Sequence, residues 1–170
     1  AGHAQADAAL CRSVQNFCCG MIFVAFQRQN DYLCGKIQID MKKKDPIEEA
    51  RRYVDNAKET LRDKGEYNEE LNRYDDEKYV RAAGNYLWLG VLMALDAVFH
   101  VRKDRRTRVD IKDYLAAVGK RDRKLLALVN DGYDVMHLSM NYDGIQAKDV
   151  SDSGFRLANN IIDRCEAMVN

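Results

Sequence analysis

From residue 45 onward, apolar residues recur at intervals of three and four, the pattern of helices that each bury one face. Ile47, Ala50, Val54, Ala57 and Leu61 make the first such face. It opens at Asp45, a capping residue. Pro46 follows at the first helical position, where a missing N–H costs nothing, and Glu48 stands where it can reach back. Gly65 ends this helix, and residues 66–76, rich in acids and Asn, read as a polar connection. A central helix is expected over residues 76–102. Its first half turns Tyr79, Val80, Ala83 and Tyr86 inward. Residues 86–100 are apolar nearly all round, so several neighbours should contact them. Ala83, Gly90, Ala94 and Ala97 form a stripe of small residues that lets another helix backbone come close.

Asp110 caps a short helix that ends at Gly119. A long helix over residues 120–140 points Leu126, Val129, Tyr133, Met136 and Met140 inward, with Leu125 and Leu128 broadening the stripe. Gly132 in its middle costs about 1 kcal/mol against alanine and marks a close contact or a kink. Residues 141–144 form a turn. The last helix begins at about residue 149 or 151 and runs to 169, burying Phe155, Ala158, Ile161, Ile162, Cys165 and Met168. The sum is an all-α fold, an antiparallel bundle of four long helices plus one short helix.

Residues 1–40 are different: rich in cysteine and poor in charge. They read as an N-terminal extension that need not be native to the domain, which would then comprise residues 41–170, opening at Met41 and a basic cluster. Within the extension, residues 4–17 suit a helix. Residues 21–26 and 32–39 suit a β-hairpin, with a helix continued through Gly20 as the alternative.

Composition narrows the function only a little. A chain of 170 residues can bury a sizeable core without a disulfide or metal. The 27 basic and 27 acidic residues balance, which removes bulk positive charge as an argument for nucleic acid but leaves local patches open. Cys11, Cys18, Cys19, Cys34 and Cys165 are an odd set without regular spacing. They suit a reducing, cytoplasmic setting better than a disulfide framework, and no pair has the spacing of a structural zinc site. No cofactor, metal or membrane span is expected. The apolar runs at 17–26 and 86–99 fall short of the roughly twenty residues a span needs.

Three places carry candidate chemistry. Asn85, Asp96 and His100 track along the central helix. Asp96 could orient the His100 imidazole for acid–base work; alternatively Asp96 is satisfied in the core and His100 merely complements the helix end. Tyr133, His137 and Asn141, spaced by four, share an edge, with Tyr142 and Asp143 just beyond. The group could bind a polar ligand through Asn141, Tyr142 and Asp143 with His137 as a catalytic candidate, or simply end the helix. The basic residues Arg102, Lys103, Arg105, Arg106, Arg108, Lys120, Arg121 and Arg123 flank the short helix. They could bind phosphates, or be a solvated surface without interleaved aromatic residues for base stacking.

Residues 41–165 resemble a bacterial family of small helical proteins classed as a domain of unknown function. The residues that carry this are the run 44–54, Tyr114 within 111–114, the run 120–126, His137 with Leu138, and 142–144. The helix order is also similar, more loosely, to HEPN-type bundles, whose active members place an Arg ahead of a His with four to six residues between them. Asn130, Asp131 and Gly132 stand ahead of His137 here. The resemblance therefore implies an inactive, partner-binding member. The expected function is a non-catalytic bundle that binds another copy of itself or a protein encoded nearby. The rival is a nucleic-acid-processing or nucleotide-binding factor using His137 beside the basic runs.

Overall fold

The computed structural model describes residues 45–102 and 109–169. The helix and hairpin expected before residue 41, the first four cysteines, and Lys103, Arg105, Arg106 and Arg108 lie outside the described residues. The fold is all-α apart from a very small hairpin. Helix α1 spans Pro46–Lys64, and the Asp45 carboxylate accepts from the Ile47 N–H at 2.9 Å. Helix α2 spans Glu77–Phe99, α3 Ile111–Gly119, α4 Arg123–Gly132 and α5 Lys148–Val169. Between α4 and α5 the chain continues as a ten-residue π-helical segment, Tyr133–Tyr142.

The core runs from Ile47 to Cys165 and is centred on α2, which packs against α1, α5 and the π segment. The expected stripe of small residues explains the close approach of α1. A Cβ on Gly90 would lie 2.9 Å from the Ala50 carbonyl oxygen. Gly84 does the same on another side, where a Cβ would stand 2.8 Å from the Asn141 nitrogen and the Met136 oxygen. Side chains larger than hydrogen at these two points would push the helices apart. By length and apolar content α2 is a helix that could cross a membrane, with a mean hydropathy of 1.4, but half of that stretch is buried within the fold. It serves as a core helix.

Four local expectations change. The polar connection over 66–76 contains a small hairpin that the spacing did not announce: Tyr67–Asn68 (β1) and Arg73–Tyr74 (β2) pair antiparallel, and Arg73 bridges onward to Ala147. The Tyr67 and Tyr74 rings face each other across the strands at 5.5 Å, and the Asn68 side chain accepts from the Leu71 N–H to close the turn. Glu66 and Asn72 take positive φ to make the bends. Second, the central helix stops at Phe99, because His100 adopts the left-handed conformation (φ 50°) and its N–H closes on the Asp96 carbonyl. Third, the helix expected over 120–140 starts only at Arg123. Asp122 is its cap, accepting from the N–H groups of Lys124 and Leu125 and pairing with Arg164 of α5. Fourth, Leu125 is the fully buried leucine of that helix, while Leu126 sits at its margin.

Gly132 marks the change from α to π bonding. A Cβ there would meet Met136 Cε at 2.8 Å and Ile161 Cδ1 at 3.1 Å. The close contact expected at this glycine is present. The π segment ends under a clamp from α2: Arg81 donates to the carbonyls of Asn141, Tyr142 and Asp143. A helix C-terminus leaves such carbonyls without partners, and a guanidinium is well suited to gather several at once.

Candidate functional site

Helix α2 supplies Trp88, the only tryptophan of the chain, on the side that faces the π segment. The π segment supplies Tyr133 and His137, four residues apart. The three rings pack into one aromatic wall. Tyr133 and His137 lie 5.1 Å apart between centroids, and Trp88 is 5.6 Å from Tyr133 and 5.9 Å from His137. These separations are those of favourable aromatic pairs. Trp88 is almost fully buried, while Tyr133 and His137 keep part of their surface open. The His137 Nδ1 is buried and has no hydrogen-bond partner among the described residues.

The start of α3 lines the same cleft as this wall. Its first turn is fixed by a reciprocal cap: Asp110 accepts from the turn's N–H groups, and Asp113 Oδ2 accepts from the Asp110 N–H at 3.0 Å. One residue on, Tyr114 is 2% exposed and sends its hydroxyl to Asp96 Oδ1 of α2 at 2.9 Å. The same carboxylate oxygen accepts from the Arg102 N–H at 3.2 Å, and the Arg102 guanidinium lies 3.9 Å from Oδ2. Burial, reinforced by the neighbouring Asp96 carboxylate, pushes the Tyr114 hydroxyl up to about 12. Between the aromatic wall and α3 lies an open cleft of about 510 Å³. Trp88, Tyr133 and His137 line it together with Asp110, Asp113, Tyr114 and Arg102.

The residues singled out in the sequence are therefore distributed unevenly. His137 lines the cleft, whereas His100 is an exposed helix cap and is not part of it. Asp96 and His100 are joined through the backbone; the Asp96 carboxylate is engaged by Tyr114 and Arg102. Asn85 is exposed on α2. Asn141 does not continue the edge of Tyr133 and His137 into the cleft: the wider π turn carries it away, and its carbonyl is held by Arg81. Tyr142 and Asp143 are exposed beside it, their carbonyls taken by the same arginine. Of the basic residues described, Lys120, Arg121 and Arg123 are exposed at the far end of α3. Arg121 lies 5.9 Å over the Phe99 ring, and Arg102 belongs to the cleft. Among the described residues no group of His, Cys, Asp and Glu side chains could hold a metal ion.

Sequence reasoning missed Tyr114 as the partner of Asp96 and missed the two acids that line the same cleft as the aromatic wall. One signal pointed to the first. Tyr114 is the one polar-tipped side chain on the inward face of the short helix, and a buried tyrosine hydroxyl usually finds a partner.

The comparisons agree with this architecture. Residues 45–167 match the family model described as Domain of unknown function (DUF5618). The chain belongs to that family. A solved structure, a protein of unknown function from Dyadobacter fermentans, is similar at 37% identity with a TM-score of 0.64. The match covers 74% of this chain and 96% of the other. No curated protein matches the chain.

Proposed function

We propose that this member of the family is a non-catalytic binding domain, and that the cleft between α2, α3 and the π segment receives a group from its partner. One observation carries this. Asp96, one turn before His100, has its side chain tied to Tyr114 and Arg102. General acid–base catalysis by histidine relies on a partner that fixes the tautomer and orientation of the ring. His137 has aromatic rings around it and an unpartnered Nδ1. His100 has an exposed position at a helix end. An aromatic wall that is open to solvent on one side suits recognition. The partner is a second copy of the chain or a protein encoded nearby.

Two measurements test this. Sedimentation velocity across a wide concentration range is expected to show reversible self-association, or a complex with the neighbouring gene's product. A strict monomer that forms neither would remove the partner assignment. Incubation with single-stranded RNA is expected to leave the RNA intact. Cleavage that disappears in His137→Ala, with an unchanged circular dichroism spectrum, would make the domain an RNA-processing enzyme instead.

A further inference from the structure

We propose that the group accepted by the cleft is a flat aromatic cation with N–H donors, of the amidinium, guanidinium or protonated amino-heterocycle class. This rests on the cleft being a recognition site and goes further by assigning its chemistry. Three features of the walls converge on it. The exposed parts of Tyr133 and His137 continue a wall whose three rings meet edge-on or tilted at 5.1–5.9 Å, so a further flat ring can add an aromatic contact of the same kind. A cation is additionally attracted by the faces of such rings. In the same cleft, Asp110 and Asp113 stand exposed at the start of α3. Each uses oxygen lone pairs for capping, but an ionised carboxylate has about four acceptor sites, so capacity remains for a ligand's N–H groups. Arg102 does not cancel this pair, because Asp96 already faces its guanidinium. Among the described residues, the lining therefore offers acceptors and negative charge beside aromatic rings.

The volume is consistent with a small molecule or one side chain of that kind. About 510 Å³ falls inside the roughly 300–1,000 Å³ typical of small-molecule sites. Lys103, Arg105, Arg106 and Arg108 lie in the chain between two residues of the cleft, Arg102 and Val109. An anionic ring is accordingly the decisive competitor in the test.

The experiment uses the full chain labelled with ¹⁵N. Its single tryptophan gives one indole N–H signal, from Trp88, in the cleft wall. Three probes of nearly equal shape are titrated in turn: benzamidinium, neutral benzamide and anionic benzoate. Benzamidinium is expected to shift the Trp88 signal saturably, benzamide more weakly, and benzoate least. Asp113→Asn keeps an oxygen for the helix cap and removes the charge; it should weaken benzamidinium about tenfold and leave benzamide unchanged. Tyr133→Leu, checked for an unchanged circular dichroism spectrum, should abolish saturation by all three. Preference for benzoate would overturn the ligand class while leaving a binding cleft in place. Silence of Trp88 toward every probe would overturn the cleft as a small-ligand site, and an Asp113→Asn chain that binds benzamidinium undiminished would overturn the role of the acids.

Discussion

Tyr114 and Asp96 show how much a single hydrogen bond settles. Asp96 sits on an otherwise apolar helix, and its polarity was evident from the sequence; its partner was not, because Tyr114 lies 18 residues further on, across a basic segment. Proximity in sequence favoured His100, one turn away, but the chain leaves the helix there with positive φ and carries that side chain outward. The tyrosine's raised pKa has a definite consequence. In the unfolded chain Tyr114 ionises near its ordinary value of 10, whereas in the fold it keeps its proton to about 12. The folded state therefore binds one more proton in that window. Stability supplied by this group is fully present below pH 10 and is lost as the pH rises toward 12. Denaturant titrations at increasing pH should show this decline, and Tyr114→Phe should flatten it. At neutral pH the same variant should be less stable by about 1–2 kcal/mol, since it removes a hydrogen bond to a carboxylate that solvent only partly replaces. Cys165 makes a parallel case. Burial pushes its thiol up to about 12, and it is fully enclosed by the core. Peptide-resolved mass spectrometry after iodoacetamide treatment should find Cys165 unmodified in the native protein and modified once denaturant is added.

At the scale of elements, hydrophobic spacing was a good guide wherever a helix presented one face to one core. The apolar faces of α1 and α5 appear in the structure nearly as the spacing implies, and the bounds differ by little. The π segment was not legible in this way. Three- and four-residue spacing persists through Tyr133, Met136 and Met140, so the pattern alone reads as continuous α-helix. The change of bonding comes from packing instead. Gly132 brings Met136 and Ile161 close, Gly84 of α2 lets the segment's backbone approach within contact, and Arg81 collects its last carbonyls. The sequence offered Gly132 as a hint, but the other two contributions come from a helix some fifty residues earlier. Gly84→Ala should be costly even though alanine favours helices, because the new methyl meets the backbone atoms of Met136 and Asn141. Overpacking of that kind typically costs about 1–3 kcal/mol, so a clear fall in thermal midpoint is expected; an unchanged midpoint would mean that the two elements separate easily. Arg81→Ala should act more locally, raising amide hydrogen exchange at the end of the π segment before it affects global unfolding.

For the molecule as a whole, the sequence reading expects a boundary near Met41, and a shortened chain can test it. Among the described residues, the buried hydrophobic cluster runs from Ile47 to Cys165. The cluster includes residues of all five α-helices and of the π segment, and α2 is surrounded by several of them. The cap at Asp45 is supplied from within the same stretch, as are the pairs that Arg51 makes with Asp163 and Glu166, which tie α1 to the end of α5. Those exposed pairs add little by themselves; the buried cluster must supply the stability. A chain comprising residues 41–170 should therefore unfold in one cooperative transition. Trp88 emission and far-ultraviolet circular dichroism should report the same midpoint, because the tryptophan sits where α2 meets the π segment and cannot be released while both remain packed. That midpoint should lie within about 4 °C of the full-length chain, the shift expected for about 1 kcal/mol in a domain of this size. A larger loss, or a tryptophan transition that precedes the loss of helix, would show that residues 1–40 contribute to the core and that the domain is not complete from Met41 onward.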